Sequence, residues 1–203
     1  VEKSLRKKKQ YSSTIKVVEK TIRKFIEYTA QEGCHEIPIE KAAEIFSGIY
    51  PYTFTEGELL ECLISEGVFC KNDNYEECVY FTYERFENII HAEFLITELQ
   101  LDSKALEEYV QQMKNPYRIG GLLESLAILL PERKNVELYE ALPNFSRSKA
   151  VANAVLYSLI WRENKTIGSH LDTYFEEFKD NEQFWDRLIQ TIIEIGFNIG
   201  NYY

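Results

Sequence analysis

The sequence lacks a G-x-x-x-x-G-K-[ST] motif, a C-x-x-C pair and any apolar run of 18 residues. A phosphate-binding loop needs several glycines whose backbone N–H groups converge on one phosphate, so no nucleotide-hydrolysing site is predicted in this chain. The absence of a long apolar run predicts no membrane-spanning helix, and the Lys-rich start has no signal-peptide core. We therefore expect a cytoplasmic protein with no membrane segment.

Metal ligands and nucleophile motifs are also scarce. Four cysteines are spread along the chain, and His35 is the only histidine beside one of them: Cys34, Cys62, Cys70 and Cys78. A zinc site requires four donors to converge on one ion, so we predict reduced thiols and no metal site. No serine or cysteine stands in a nucleophile motif, and the three histidines lie in separate predicted elements. The chain is therefore predicted not to be an enzyme by itself.

Acidic residues dominate the charge, but they are unevenly distributed. The 203 residues carry a net charge of −10, whereas the first 24 contain nine Lys or Arg and two Glu. A net negative charge opposes general nucleic-acid binding, because a phosphate-binding domain carries a basic surface. We predict that residues 1–13 form a solvated basic linker, and the alternative is a basic arm for nucleic acid or an acidic partner. The first and last residues suggest a piece of a longer polypeptide.

The hydrophobic pattern of residues 14–101 predicts a winged helix, in which helices precede a small β-hairpin and another helix follows it. The predicted helices cover residues 14–32, 40–49 and 83–99, with a third helix, before the hairpin, from Glu58 to a stop at Gly67. An extended segment is predicted at residues 36–39, and strands are predicted at 68–70 and 79–82. We expect its last helix to bury Phe86, Ile89, Ile90 and Phe94, and His91 to lie on the surface.

Two further expectations concern the hairpin and the third helix. Val68 and Cys70 are predicted to face inward with Val79 and Phe81, across a turn at residues 72–74. The third helix and the wing loop carry mostly acidic side chains, namely Glu56, Glu58, Glu61, Glu66, Asp73, Glu76 and Glu77. A helix that reads DNA bases needs Arg, Asn or Gln and surrounding cations, so DNA recognition by this surface is not expected.

The hydrophobic pattern of residues 102–203 predicts a helical bundle or a solenoid-like stack. Short breaks at Pro116, Pro131 and Pro143 separate helices of similar length, and Gly120-Gly121 is interpreted as the start of one of them. The last helix is predicted to begin at Asp180 and to bury an apolar stripe of Phe184, Leu188, Ile192 and Ile195. The chain is thus predicted to be mainly α, with a winged helix followed by a helical segment.

Three segments resemble one family. The sequence VYFTYERFENIIHAEFL, Val79 to Leu95, resembles the winged-helix exit of signal-transduction ATPases with numerous domains, the STAND class that includes NACHT and NB-ARC proteins. Members often show Phe-x-His-x-x-Phe-x-Glu-aromatic at this place, and the matching positions here are Phe81, Tyr83 and Phe86. The segments GGLLESLAILLPER, 120–133, and SLIWRE, 158–163, resemble the helical region after the ATPase in bacterial antiphage members.

The resemblance implies an upstream ATPase core that binds ADP or ATP, a winged helix folded against it, and downstream helical repeats that sense a ligand and release oligomerisation. The motif histidine of the class commonly approaches the β-phosphate of ADP. Tyr83 stands at that position with Glu84 next to it, so the resemblance makes these two the candidate cofactor-contacting residues. A neutral phenol donates one hydrogen bond but supplies no positive charge.

Two other functions stay open at this stage. One is a stand-alone winged-helix regulator that binds DNA through its basic first helix. The other is a scaffold that holds two proteins together.

Overall fold

The computed structural model describes residues 17–32, 34–47, 58–72, 77–98, 102–113, 116–162 and 170–200. In these ranges the chain is mainly helical and contains one three-stranded antiparallel sheet, which confirms the predicted fold class at this level. Contacts divide the chain into two compact units, Val1–Phe94 and Leu95–Tyr203. No helix within the described ranges has the length and apolar character that crossing a membrane would require.

The first unit alternates helices with the strands of a small sheet. Its elements in chain order are α1 (Val17–Glu32), β1 (Ile37–Pro38), α2 (Ile39–Ser47), α3 (Glu58–Ser65), β2 (Phe69–Asn72), β3 (Cys78–Phe81) and α4 (Glu84–Glu98), and the boundary between the units falls within α4. The strand order is β1-β3-β2 with both pairings antiparallel. The predicted start of the first helix at residue 14 and residues 73–74 of the predicted turn lie outside the described residues.

Apolar side chains at helical spacing explain α1. Ile22, Phe25 and Ile26 are buried in the core of the first unit, and the Thr29 hydroxyl donates to the carbonyl oxygen of Ile26. The polar side chains of the opposite face are exposed, as an amphipathic helix requires. The apolar face predicted for this helix is therefore confirmed for its described residues.

Gly67 ends α3 as predicted. Its φ is +72°, a left-handed conformation that residues with a Cβ atom rarely adopt. The Gly67 N–H donates to the Ile64 carbonyl at 2.9 Å and the Val68 N–H to the Leu63 carbonyl at 2.9 Å, so the last carbonyls of the helix are bonded. The chain consequently turns directly from α3 into β2.

The predicted inward face of β2 is wrong by one residue. Phe69 pairs with Phe81 across the hairpin and is 1% exposed, whereas Val68 and Cys70 are only half-buried. Cys70 Sγ lies 3.3 Å from Thr82 Oγ1, on the other face of the sheet. Because side chains alternate along a strand, one inward-facing ring at Phe69 turns both of its neighbours outward. The inward positions predicted for β3, Val79 and Phe81, are confirmed.

The predicted buried stripe of α4 is also incorrect in part. Phe86 is 41% exposed and Ile90 is half-buried, whereas Glu87 and His91 are almost fully buried. The prediction of a surface position for His91 is therefore wrong. The apolar pattern predicts that the face with Phe86 and Ile90 packs on the core. In the structure the helix is rotated about its axis, so that the neighbouring face with Glu87 and His91 is buried instead. Tertiary packing overrode the apolar pattern here.

The second unit is formed by helices in the described ranges. They are α5 (Ser103–Gln112), α6 (Pro116–Lys134), α7 (Leu138–Ala141), a short 3-10 helix (Pro143–Phe145), α8 (Lys149–Ser158), α9 (His170–Glu176) and α10 (Glu182–Gly200). Helix α6 packs on α8, and α8 packs on α10. Asp102 caps α5 and Ser148 caps α8, since the Asp102 carboxylate accepts from the Lys104 N–H and the Ser148 hydroxyl from the Val151 N–H. The last helix is capped by Asn181, whose Oδ1 accepts from the Phe184 N–H, and not by Asp180.

Helix α6 is longer than predicted at both ends. It begins at Pro116, continues through Gly120 and Gly121, contains Pro131, and ends at Lys134 before Asn135, whose φ is +57°. Proline suits the first position of a helix because it lacks the N–H that would be unbonded there. An internal proline costs a helix about 3 kcal/mol. Pro131 nevertheless lies inside α6, one turn before its end at Lys134. The predicted break at Pro131 and helix start at Gly120 are therefore wrong.

The predicted apolar stripe of α10 is confirmed only in part. Phe184 is buried and Leu188 and Ile195 are half-buried, but Ile192 is 57% exposed. Helix α10 carries apolar side chains on more than one face, and only the face with Phe184 is buried. Its exposed apolar face comprises Trp185, Ile189, Ile192 and Ile193.

Replacing Phe69 with Ala tests the inward face of β2. The ring of Phe69 contacts those of Phe25 and Phe81, so its loss should lower the free energy of unfolding by about 3–5 kcal/mol. The matched control is Cys70→Ala on the outer face, which should cost about 1 kcal/mol or less. Urea denaturation followed by circular dichroism measures both, and equal losses would contradict the inward position of Phe69.

Candidate functional site

The two predicted site residues lie where β3 passes into α4. Tyr83 is 69% exposed, and Glu84 is the exposed first residue of the helix. The backbone carbonyl of Tyr83 accepts from the Glu87 N–H at 3.2 Å, which places Tyr83 at the start of the helical hydrogen bonding. The backbone of Tyr83 is thus fixed while its side chain projects to the surface. Their role as contacts for a nucleotide stays a prediction.

An aromatic contact joins the residues on either side of Tyr83. The buried ring of Phe81 meets the ring of Phe86 edge to face, with centroids 5.8 Å apart and an interplanar angle of 73°. Such contacts hold the residues on either side of Tyr83 to the core of the unit. Phe86 is itself partly exposed, so two aromatic side chains are available to a partner within the first turn of α4.

The electrostatics of this helix start do not favour an anion strongly. A helix N-terminus attracts negative charge, because its first N–H groups have no partner within the helix. Glu84 and Glu87 already bring carboxylates to the first turn of α4. A phosphate beside Tyr83 would therefore gain from the backbone but would be repelled by the exposed Glu84.

Sequence reasoning missed a polar contact that joins α4 to the segment before β1. His35 Nδ1 lies 2.9 Å from Glu87 Oε2, and the Glu87 side chain is 1% exposed. The His35 ring also packs near that of Tyr80, at 5.8 Å between centroids. A buried carboxylate is stable only when a polar or charged group faces it. No local signal links His35 with Glu87, because the two are far apart in the sequence.

A second buried polar cluster lies in the second unit. Arg162 Nη1 donates to Glu137 Oε1 at 2.7 Å, and both side chains are buried. The ring of Tyr139 stacks on that of Tyr174 with centroids 4.2 Å apart, and the Tyr174 hydroxyl donates to the Ser146 carbonyl at 2.7 Å. Burial raises the pKa of both tyrosines above the ordinary value of 10.0. Arg162 belongs to the segment SLIWRE, residues 158–163.

Other polar groups of the described residues form surface features or structural contacts. An open cleft of about 510 Å³ is lined by Arg147, Glu177, Phe178, Asp180 and Asn181, and Arg147 Nε pairs with Glu177 Oε2 at 3.0 Å across it. Within the described ranges no group of three or more His, Cys, Asp or Glu side chains is arranged to hold a metal ion.

Comparisons of the chain with protein-family models, with curated proteins and with solved structures find no match.

A double-mutant cycle tests the contact between His35 and Glu87. His35→Ala should cost about 1.5–3 kcal/mol of unfolding free energy, because it removes the imidazole that faces a buried carboxylate. In a Glu87→Gln background the same change should cost less, since no buried charge is left. Chemical denaturation of the four proteins gives the coupling. Additive costs would show that the two side chains do not stabilise each other.

We expect the tyrosines whose pKa is raised by burial to lower the free energy of unfolding at alkaline pH. Burial raises the pKa of Tyr109 to about 12, whereas its ordinary value is 10.0. Above pH 10 the unfolded chain loses phenol protons that the folded chain retains, so the unfolded state binds fewer protons and stability falls as the pH rises. Urea titrations between pH 9 and pH 11 should show a smaller fall for Tyr109→Phe/Tyr174→Phe than for the unmodified protein. Identical falls would contradict this account.

Proposed function

We propose that this chain is a non-catalytic regulatory segment of a STAND-class NTPase, which couples ligand sensing to the nucleotide state and oligomerisation of an ATPase core outside the chain. The observation that carries the proposal is the exposed side chain of Tyr83 on a fixed backbone. It lies in the segment 79–95, whose sequence resembles the winged-helix exit of that class. A bacterial defence function in the cytoplasm follows from the resemblance to antiphage members.

The order of elements supports a winged helix in the first unit. A helix, a short strand, two helices and a β-hairpin follow each other, and β3 lies between β1 and β2. In a winged helix the short strand pairs with the hairpin in this way. The layered packing of α6, α8 and α10 supports a helical stack after it, as the downstream sensor repeats of the class would require.

In this proposal Tyr83 is the residue that responds to the nucleotide. Its phenol would donate one hydrogen bond to the terminal phosphate of ADP, whereas Glu84 beside it would disfavour a more highly charged phosphate group. The N–H groups of the first turn of α4 would contribute to the same contact. Loss of the contact would then release the winged helix from the core.

The charges of the described residues weigh against the DNA-binding alternative. In α1, Lys20, Arg23 and Lys24 are balanced by Glu19, Glu27 and Glu32. Helix α3, which would occupy the major groove, exposes Glu58 and Glu61. Duplex phosphates would be repelled by α3 and would gain little from the described part of α1.

The proposal is tested in the protein expressed from the complete reading frame, with Tyr83 replaced by Ala, Phe or His. We expect Tyr83→Ala and Tyr83→Phe to retain less ADP after purification and to raise basal activity, because both lose the hydroxyl. Tyr83→His restores the residue typical of the class and should retain ADP at least as well as the unmodified protein. Tyr83→Phe also serves as the control for folding, since it keeps the ring. Unchanged ADP retention in all three variants would contradict the role of Tyr83.

Fluorescence anisotropy with labelled duplex DNA tests the alternative on the present chain. We expect no saturable binding at low salt. Tight binding whose affinity falls steeply with salt would favour a DNA-binding regulator and would contradict the proposed function.

A further inference from the structure

The exposed apolar face of α10 forms one stripe along the helix. Trp185, Ile189, Ile192 and Ile193 are 41–57% exposed, although Phe184 on the neighbouring face is buried. Residues three and four positions apart lie on the same side of a helix, so these side chains are contiguous. A contiguous exposed stripe of large apolar side chains indicates a surface that another molecule covers.

Glycines continue the same side of α10 toward its end. Gly196 follows Ile192 by four residues, and Gly200 follows Gly196 by four. Outside the helix backbone and the adjoining residues, no described atom lies within 4 Å of the position that a Cβ atom of Gly196 would take. A glycine inside a helix destabilises it relative to alanine. The stripe, with these two glycines included, therefore runs from a large ring at its start to an open backbone at its end.

This order of side chains is complementary to itself in an antiparallel pair of helices. Positions 185, 189, 192 and 196 are spaced four, three and four residues apart, so the spacing is the same in both directions. A two-fold axis that places Ile189 against the partner's Ile192 also places Trp185 against the partner's Gly196. Large then faces small, as close packing requires. A parallel pair would bring two indole rings together and two glycines opposite each other.

The ring of Trp185 is held in place within its own chain. Its indole N–H donates to the Lys179 carbonyl at 2.7 Å, and the ring meets that of Phe184 edge to face, with centroids 6.1 Å apart. A side chain that is already ordered loses little conformational entropy on association. Tryptophan is also enriched among the residues that dominate the binding energy of interfaces. Trp185 is therefore the expected anchor of the contact.

The charges of α10 favour the same antiparallel arrangement. Glu182 and Asp186 are exposed in its first two turns, whereas residues 195–200 include no charged residue. In an antiparallel pair the carboxylates of each copy face the uncharged end of the other copy. A parallel pair would place like charges side by side, which opposes association. The antiparallel order also aligns the two helix dipoles in opposite directions.

We propose that the exposed apolar face of α10 pairs with the same face of a second copy of this chain, antiparallel and about a two-fold axis. An interface of standard size buries about 800 Å² on each partner. The stripe from 185 to 196 is only about 17 Å long and supplies part of that area. We therefore expect a weak dimer, with a dissociation constant on the order of 10–100 μM. The proposal concerns this chain alone and does not rest on the proposed function.

Sedimentation equilibrium tests the pairing in the present chain, from about 1 μM to about 500 μM. We expect a monomer at the lowest concentration and mostly dimer at the highest. Ile192→Glu brings a carboxylate into the stripe and should raise the dissociation constant about tenfold or more. Arg187→Glu is the matched control, because it places the same carboxylate on the opposite side of α10 and should change the constant by about twofold or less. A monomer at every concentration, or equal effects of the two substitutions, would overturn the proposal.

Gly196→Leu separates the antiparallel pair from general adhesion of apolar surfaces. The folded monomer has room for the side chain, since no described neighbour would contact its Cβ atom. General adhesion would become tighter, because the stripe becomes more apolar. In the antiparallel pair the leucine occupies the space of the partner's Trp185, so the dissociation constant should rise about tenfold. Unchanged or tighter association of Gly196→Leu would overturn the antiparallel arrangement.

Discussion

The rings of Phe25, Phe69 and Phe81 contact one another, and the arrangement of the first unit depends on this contact. Their centroids lie 4.7 Å, 4.7 Å and 5.0 Å apart, and they join α1 to both strands of the hairpin. Once Phe81 is fixed inward, strand alternation turns Thr82 to the other face, and the chain leaves β3 at the surface. Tyr83 lies outside this alternation, because β3 ends at Phe81 and α4 begins at Glu84, and its side chain is exposed between the two elements.

Buried carboxylates provide a second kind of constraint. Glu87 faces His35, Glu137 binds Arg162, and Glu107 accepts from the backbone N–H and the side-chain amide of Asn144 at 2.8 Å and 2.7 Å. Each of these pairs joins elements that are distant in the sequence. Removing one partner of such a pair would leave a buried charge without a partner, which costs several kcal/mol. These contacts therefore disfavour arrangements in which other elements meet, even where they add little to the net stability.

Two exposed surfaces carry large apolar side chains. Tyr83 and Phe86 lie in the first unit, and the exposed apolar face of α10 lies in the second. Both surfaces present aromatic rings or aliphatic side chains to the solvent. The proposed function would use the first of them as a contact between domains.

The sequence by itself determined most of the helices and the two strands of the hairpin, because apolar spacing and the glycine at 67 act within one turn of the chain, but the break that it predicted at Pro131 does not occur. It did not determine the face that Phe69 or α4 presents to the core, since a one-residue shift in a strand or a rotation of a helix leaves the local pattern acceptable. Only tertiary packing selected those faces. It also brought Glu87 to His35 and Arg162 to Glu137, because the free energy of a buried charge depends on a partner that no local pattern identifies.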